Sequence, residues 1–204
     1  MGNIRLKSSF LYILFFFAQI ANGSSLLLAK HAEQLPRLVI YDSSYRQISY
    51  PNGDVPEQYG VCSDVVIRSY RKIGIDLQKL VHEDMKANFS QYPSQRIWGL
   101  RKPDTNIDHR RVPNLEAFFS RKGKKKPISK NASDYIPGDI VSWRLDNGRP
   151  HIGVVTSIKS PSTQSYLVMH NIGYGQVSYG QIWCTSIRRF SCLTAPLLVR
   201  RLGI

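Results

Sequence analysis

Apolar residues recur at helical spacing from residue 62 onward, directly after a turn-rich stretch over 51–56. One face of this predicted helix carries Cys62, Val65, Val66, Ser69, Tyr70 and Ile73. Gly74 is its predicted stop, and Asp76 is the predicted N-cap of a second helix over 76–92. The stretch over 93–113 is polar and turn-rich, and a third, short helix is predicted from Asn114.

The pattern changes from helical spacing to short β-rich runs near residue 135. These runs are separated by Pro-Gly, Asp-Asn-Gly and Ser-Pro-Ser-Thr turn sequences, which predict an antiparallel meander over 135–173. Because the helices precede the strands, the predicted fold class is α+β, with N-terminal helices packed on the β meander. The sequence contains no internal repeat, no nucleotide-binding glycine loop and no paired-cysteine metal motif.

The first 23 residues have the pattern of a secretory signal peptide. Arg5 and Lys7 precede an apolar run over 10–20 and a small-residue site that ends at Gly23. The run is shorter than the roughly 20 apolar residues of a membrane span, and no later segment offers one. We therefore expect cleavage after Gly23, a lead-in over 24–40 and a periplasmic or secreted protein, with an uncleaved anchor as the alternative.

The formal net charge of +14 falls to +12 when Arg5 and Lys7 leave with the signal peptide. A strongly basic protein favours anionic partners, such as nucleic acid, anionic lipid or the carboxylate-rich cell-wall polymer. Export makes nucleic acid the least expected of these partners. The basic block over 121–126 is either part of a binding surface or a solvated loop.

Three cysteines leave at least one thiol unpaired within the chain. A bridge between Cys184 and Cys192 would close a short loop and leave Cys62 free. The first turn of a helix favours a thiolate, because unpaired backbone N–H groups and the helix dipole stabilise negative charge there. Cys62 is therefore a candidate nucleophile, and a small buried core residue is the alternative.

Strand register selects the histidine partners of that thiol. If the two strands around Pro161 form a hairpin, His170 lies opposite Gly153, and His151 is its diagonal neighbour on the same face. The predicted relay has Cys62 as nucleophile, His151 as general base and His170 as the group that orients the base. Zinc ligation by the same three residues is the alternative, but the spacing does not support it, so no metal and no cofactor is predicted.

A helix that opens with cysteine, followed by "PGDIVSW", "HIGVV" and "YLVMHN", resembles the NlpC-type branch of the papain-like superfamily. Its members are exported bacterial cysteine peptidases and amidases that cut peptidoglycan stem peptides. The resemblance implies a papain-like fold and the same roles for Cys62, His151 and His170. It also implies that Tyr50 polarises the oxyanion region.

A longer resemblance links this chain to the bacterial family known as domain of unknown function 1287. It is carried by "YPNGDVPEQYGVCSDVVIRSYR", "GIDLQKLVHEDM", "WGLRKPDTNIDHRRVPNLEAFF" and "HNIG". We accordingly expect a hydrolase domain over 41–176. The residues expected to line its cleft and bind substrate are Asp64, His109, Arg110, Arg111 and Asn171. The "DHRRVPN" stretch is expected to bind a substrate carboxylate. A loop that serves only structural hydrogen bonding is the alternative.

The C-terminal tail over 177–204 departs from the family pattern. After "HNIG" the resemblance implies an acidic pair, a short apolar strand and an ending like Ile-Thr-Gly-His-Tyr-Arg, none of which is present. This departure weakens the inferred bridge between Cys184 and Cys192. Codons can be chosen for 187–190 and 194–199 that spell the missing residues in another frame. The hypothesis is a frame-shifted tail, true divergence is the alternative, and the gene sequence decides between them.

The sequence thus predicts an exported cysteine hydrolase that cleaves an amide bond in peptidoglycan stem peptides. Two other functions remain open on the same fold. One is a non-catalytic module that binds the cell wall through its basic surface, and the other is a secreted antibacterial amidase toxin. The expected partner is peptidoglycan or a muropeptide, and the oligomeric state is not predicted.

Overall fold

The predicted α+β class is confirmed by a computed structural model, which describes residues 23–129, 131–173, 176–179 and 188–190. The helices are α1 over 23–33, α2 Cys62–Lys72, α3 Leu77–Asn88, α4 Ser94–Trp98 and α5 Val112–Lys122. Short 3-10 turns lie at Phe89–Gln91, Asp108–Arg110 and Ala132–Asp134. The strands are β1 Ile40–Tyr41, β2 Tyr59–Gly60, β3 Lys125–Lys126, β4 Ile140–Arg144, β5 Pro150–Lys159, β6 Tyr166–Asn171, β7 Gln176–Tyr179 and β8 Arg188–Phe190.

Helix α2 begins and ends where the sequence pattern predicts. The Asp64 carboxylate accepts a hydrogen bond of 2.6 Å from the Val61 backbone N–H and so closes the first turn. The valine side chain carries no acceptor, so only this half of a capping box forms. At the other end, Gly74 has a φ of 79°, a left-handed conformation that glycine adopts without steric cost.

The other helices match the predictions in part. Asp76 caps α3 as predicted, because its carboxylate accepts hydrogen bonds from the backbone N–H groups of Gln78 and Lys79. The polar stretch predicted to be irregular contains the short helix α4, which ends at Gly99 with a φ of 65°. Helix α5 begins two residues before the predicted start, since Pro113 fits a first helical turn, whose N–H groups have no partner within the helix.

The large sheet has the strand order β3-β8-β4-β5-β6-β7, and all of its neighbouring strands are antiparallel. Strands β4 to β7 follow one another as neighbours, so the predicted meander is confirmed for this part of the sheet. Strand β8 comes from the divergent tail and lies between β3 and β4.

The hydrophobic core lies between the helices and one face of this sheet. Its largest fully buried side chains include Tyr70, Phe118, Phe119, Leu28 and Met169. The predicted lead-in over 24–40 therefore contains a core helix, because Leu28 belongs to α1. Two further contacts hold α1 in place: the Ser25 hydroxyl donates to Pro137 O at 3.0 Å, and Glu33 accepts from the Ser157 N–H at 2.6 Å.

A second, two-stranded sheet lies close to the start of α2. Strands β1 and β2 are parallel, with Ile40 paired to Tyr59 and Tyr41 paired to Gly60. Since Gly60 precedes Cys62 by two residues, this pairing brings the chain around residue 41 to the N-terminal end of α2.

The basic block over 121–126 is more than a solvated loop. Asp84 accepts ion pairs from Arg121 at 2.6 Å and from Lys122 at 2.7 Å, and Lys126 pairs with Asp139 at 2.6 Å. Although burial opposes it, hydrogen bonding from both cations and from Tyr92 lowers the pKa of Asp84 to about 2. Part of the block's charge is therefore used inside the fold.

Two sets of predictions fall outside the described residues. The signal peptide is one, since residues 1–22 are not described, and the bridge between Cys184 and Cys192 is the other. In the part of the chain that is described, no helix is both long enough and apolar enough to span a membrane.

Candidate active site

Cys62 is the first residue of α2 and points at the sheet. Its thiol lies against the backbone N–H of Ile152 in β5, and its side chain is only 4% exposed. Burial raises the pKa of the thiol to about 12, although the N–H groups of Ile152 and Ser63 act in the opposite direction. The expected thiolate is therefore wrong for this closed arrangement, because the cost of burying its charge exceeds the stabilisation from the helix terminus.

The two predicted histidine partners meet one another. His151 Nε2 and His170 Nδ1 are 3.0 Å apart, and both side chains are buried. Burial, reinforced by the neighbouring His170, lowers the pKa of His151 to about 3, and burial lowers that of His170 to about 4. Both rings are therefore neutral at pH 7, which is the state a general base requires.

Strand register produces this pair as the sequence predicts. Val154 pairs with Met169, which places His170 opposite Gly153 and diagonal to His151. A Cβ atom on Gly153 would lie 3.2 Å from the His170 Cβ and only 2.6 Å from Met169 O. Glycine at 153 thus leaves the space in which the two rings approach.

Trp143 encloses the histidine pair and was not selected from the sequence. It pairs with His151 across β4 and β5, and its ring centroid lies 4.8 Å from that of His151 and 5.4 Å from that of His170. Both contacts are edge-on, and the tryptophan is itself buried. The signal available in the sequence was its place opposite His151 across the Asp-Asn-Gly turn at 146–148 of the predicted meander.

The thiol contacts the strand that carries the candidate base, but the two groups do not share a hydrogen bond. Cys62 contacts Ile152, the residue after His151, yet no hydrogen bond joins Cys62 to His151 among the described residues. Contacts between catalytic groups are often loose before substrate binds. The structure therefore places a buried thiol against β5, the strand that carries a neutral imidazole and its histidine partner.

Asp64 and Arg110 form a buried ion pair behind the thiol. Both side chains are 3% exposed, and the guanidinium donates two hydrogen bonds of 2.9 Å to the carboxylate. The Ser63 hydroxyl also donates to Arg110 O at 2.7 Å. These contacts fix the N-terminal end of α2 against the "DHRRVPN" loop, and they favour the structural alternative for that loop.

The other expected substrate-binding residues are also engaged within the protein. His109 is buried, and burial together with Arg110 lowers its pKa to about 3. Arg111 pairs with Asp108 at 3.0 Å and lies 4.3 Å over the Trp98 ring. Asn171 is fully buried, and its amide donates to Gly60 O at 3.3 Å, which ties β6 to the segment that leads into Cys62.

Tyr50, which was expected to polarise the oxyanion region, has its described ring contact with α3, and Tyr41 lies near Cys62. Tyr50 packs edge-on against His82 of α3 at 5.2 Å, and the charges that raise its pKa, besides burial, are Glu83 and Asp76. Tyr41 instead interacts electrostatically with Cys62, and burial followed by that interaction raises its pKa. No sequence motif marks Tyr41, because its position depends on the pairing of β1 with β2.

Metal ligation has no further support in this part of the chain. Among the described residues, no three or more histidine, cysteine, aspartate or glutamate side chains are grouped as metal ligands.

The described residues form an α+β fold in which a buried cysteine packs against the strand that carries one of two paired histidines. The chain belongs to the family described as "Domain of unknown function (DUF1287)", which it matches over residues 28–187. It is 56% identical over 158 residues to "Uncharacterized protein YijF" of Escherichia coli (strain K12), covering 77% of this chain and 76% of that protein. No solved structure matches the chain.

Proposed function

We propose that the protein is an exported cysteine hydrolase that cleaves an amide bond in peptidoglycan stem peptides. The observation that carries this proposal is the hydrogen bond between His151 Nε2 and His170 Nδ1, held on the strand that touches the Cys62 thiol. A base whose distal nitrogen is already bonded keeps its other nitrogen available for a thiol proton.

The tautomers follow from the proposed role of His151. His151 Nδ1 accepts a proton only if Nε2 carries the ring hydrogen, so Nε2 donates to His170 Nδ1, which accepts. As Cys62 Sγ attacks the substrate carbonyl, its proton moves to His151 Nδ1. Because the resting thiol and imidazole are both neutral, transfer and attack occur together rather than from a preformed ion pair.

The rest of the reaction uses the same groups. The Cys62 backbone N–H lies beside the sulfur and stabilises the oxyanion of the tetrahedral intermediate. His151 returns the proton to the leaving nitrogen as the C–N bond breaks, which leaves a thioester on Cys62. Water, deprotonated by His151, then attacks the thioester and releases a carboxylate and the free thiol.

The substrate class rests on three kinds of support. The N-terminal pattern is typical of export, the net charge of +12 after signal cleavage favours an anionic polymer, and the motifs resemble NlpC-type peptidases and amidases. Peptidoglycan is an anionic polymer outside the inner membrane and contains amide bonds. The papain-like relationship belongs to the same proposal.

The test is incubation of the mature protein with purified muropeptides and identification of the products by mass. We expect one amide bond to be cut by the unmodified protein, and no cleavage by the Cys62→Ala or His151→Ala variants, each with an unchanged circular dichroism spectrum. Full hydrolytic activity in Cys62→Ala would contradict the covalent mechanism.

One observation favours a second candidate, a non-catalytic wall-binding module. The thiol is 4% exposed, and burial raises its pKa to about 12. Both properties are those of an unreactive cysteine in the hydrophobic core. Iodoacetamide labelling at neutral pH separates the two. A nucleophile is expected to label quickly and to be protected by bound muropeptide, whereas a core cysteine labels slowly with or without muropeptide.

A further inference from the structure

The arginines that were expected to bind a substrate carboxylate form ion pairs within the protein. Arg110 is paired with Asp64, and Arg111 is paired with Asp108. Arg149 is different, because it is exposed and no described carboxylate lies within ion-pair distance of its guanidinium. A cation that carries no structural contact is available to a ligand.

Arg149 lies close to the candidate base along the chain. It immediately precedes β5, which begins at Pro150, and is two residues from His151. Its backbone is fixed in the turn between β4 and β5, since Arg149 O accepts from the Leu145 N–H at 2.9 Å and its own N–H donates to Asn147 Oδ1 at 3.0 Å. Asp146 is the nearby acid of this turn, and no ion pair joins it to Arg149 in the described chain.

Tyr41 is the second side chain near the thiol that is available to a ligand. Its pairing with Gly60 brings it to the segment that enters α2, and it is 42% exposed whereas Cys62 is buried. Within the described residues its hydroxyl makes no hydrogen bond. Burial and Cys62 raise the pKa of Tyr41, so the hydroxyl keeps its proton, and Arg149 is among the charges that act on it.

We propose that the Tyr41 hydroxyl and the Arg149 guanidinium bind a free carboxylate of the substrate next to the scissile amide. The substrate class is a peptide that carries an unblocked carboxylate within about one residue of the bond to be cut. This inference rests on the proposed function only in taking Cys62 as the position of the scissile carbonyl. An arginine and a phenol donor suit a carboxylate, because the guanidinium donates two parallel hydrogen bonds and the hydroxyl donates a third.

The experiment measures binding, so that hydrolysis does not enter. The mature Cys62→Ala protein is titrated calorimetrically with a synthetic stem tetrapeptide, and with two versions amidated either at the C-terminal carboxyl or at the glutamate carboxyl. We expect one of the two amidations to weaken binding about 30-fold, because it removes a charge-assisted pair of hydrogen bonds. The sensitive amidation identifies the carboxylate that the protein binds.

Substitutions then assign that carboxylate to the two residues. Arg149→Gln should weaken binding of the free-acid peptide about 30-fold and leave binding of the sensitive amide unchanged. Tyr41→Phe should have the same selectivity with a loss of about fivefold, the usual range for one neutral hydrogen bond. Arg101→Gln is the matched control, since Arg101 is also exposed and has no ion pair among the described residues.

Each contrary result overturns the inference. Equal losses in Arg149→Gln and Arg101→Gln would mean general charge attraction, insensitivity to both amidations would mean that no carboxylate is read, and no binding by Cys62→Ala would mean that there is no such subsite. Turnover by the protein with Cys62 intact is measured separately. Selective binding without turnover would refute the hydrolase and keep the carboxylate site, whereas turnover without selectivity would do the reverse.

Discussion

In the proposed mechanism His151 acts as a base through Nδ1, so its ring hydrogen must lie on Nε2 and His170 Nδ1 must accept that hydrogen across the 3.0 Å contact. Trp143 packs edge-on against both rings. A residue at 170 therefore needs an acceptor at that point and does not need to titrate.

This requirement predicts unequal effects of two substitutions at position 170. His170→Ala removes the acceptor and should lower kcat/KM about a hundredfold, within the range of general acid–base contributions. His170→Asn retains an amide oxygen that accepts from His151 Nε2, so we expect a loss of about tenfold or less. Muropeptide turnover measured from pH 5 to 9 provides the test, with circular dichroism as the folding control. Equal losses in the two variants would show that orientation through this bond is not the role of His170.

At the scale of elements, the position of the thiol depends on how α2 is held at its N-terminal end. Asp64 accepts from the Val61 N–H at 2.6 Å and from Arg110 twice at 2.9 Å, so one carboxylate both closes the helix and attaches it to the loop before α5. Asn171 adds a second attachment through Gly60 O. These contacts account for three of the residues that sequence reasoning assigned to substrate.

The ion pair between Asp64 and Arg110 predicts a large loss of stability from a conservative change. Asp64→Asn leaves the Arg110 charge buried without compensation and should lower the free energy of unfolding by about 3 kcal/mol. Glu83→Gln is the control, because its pair with Lys79 is 3.8 Å long and half exposed and should contribute less than about 0.5 kcal/mol. Urea unfolding at pH 7 measures both.

Two further outcomes of that experiment decide the role of the pair. Replacing both partners, as Asp64→Leu with Arg110→Met, should recover part of the stability lost in Asp64→Asn, since no buried charge then remains. If Asp64→Asn unfolds at the same urea concentration as Glu83→Gln, the ion pair does not anchor α2.

For the whole molecule, the predicted cleavage after Gly23 bears on the core through α1. Leu28, Ala29 and Ala32 of α1, and Leu35 after it, are buried. Cleavage after Gly23 keeps all four side chains, whereas a chain that begins at Pro36 lacks them.

We therefore expect the exported protein to begin at Ser24 and to need α1 for stability. Removing 24–35 should lower the free energy of unfolding by about 5 kcal/mol, the transfer cost of two leucine and two alanine side chains. Sequencing of the N-terminus of the fractionated protein and urea unfolding of the shortened chain test the two parts. An intact Met1 in the cytoplasm would contradict export, and unchanged stability without 24–35 would contradict the role of α1.

The sequence by itself determined the features that depend on neighbours along the chain. The period of apolar residues fixed α2, the side chain of Asp76 fixed the start of α3, and alternation in a hairpin fixed the meeting of His151 with His170. Helical and strand periods act over a few residues, so they are readable without the fold. The same local reasoning missed α4, whose polar sequence carries no apolar period.

Tertiary structure alone decided which side chains surround the thiol and what protonation state they impose. Asp64 and Arg110 are 46 residues apart, and Tyr41 reaches Cys62 only through the pairing of β1 with β2. Burial of Cys62 under these contacts outweighs the helix terminus, which changes the expected thiolate into a thiol. Desolvation depends on every atom packed around a group, and no spacing along the chain records that packing.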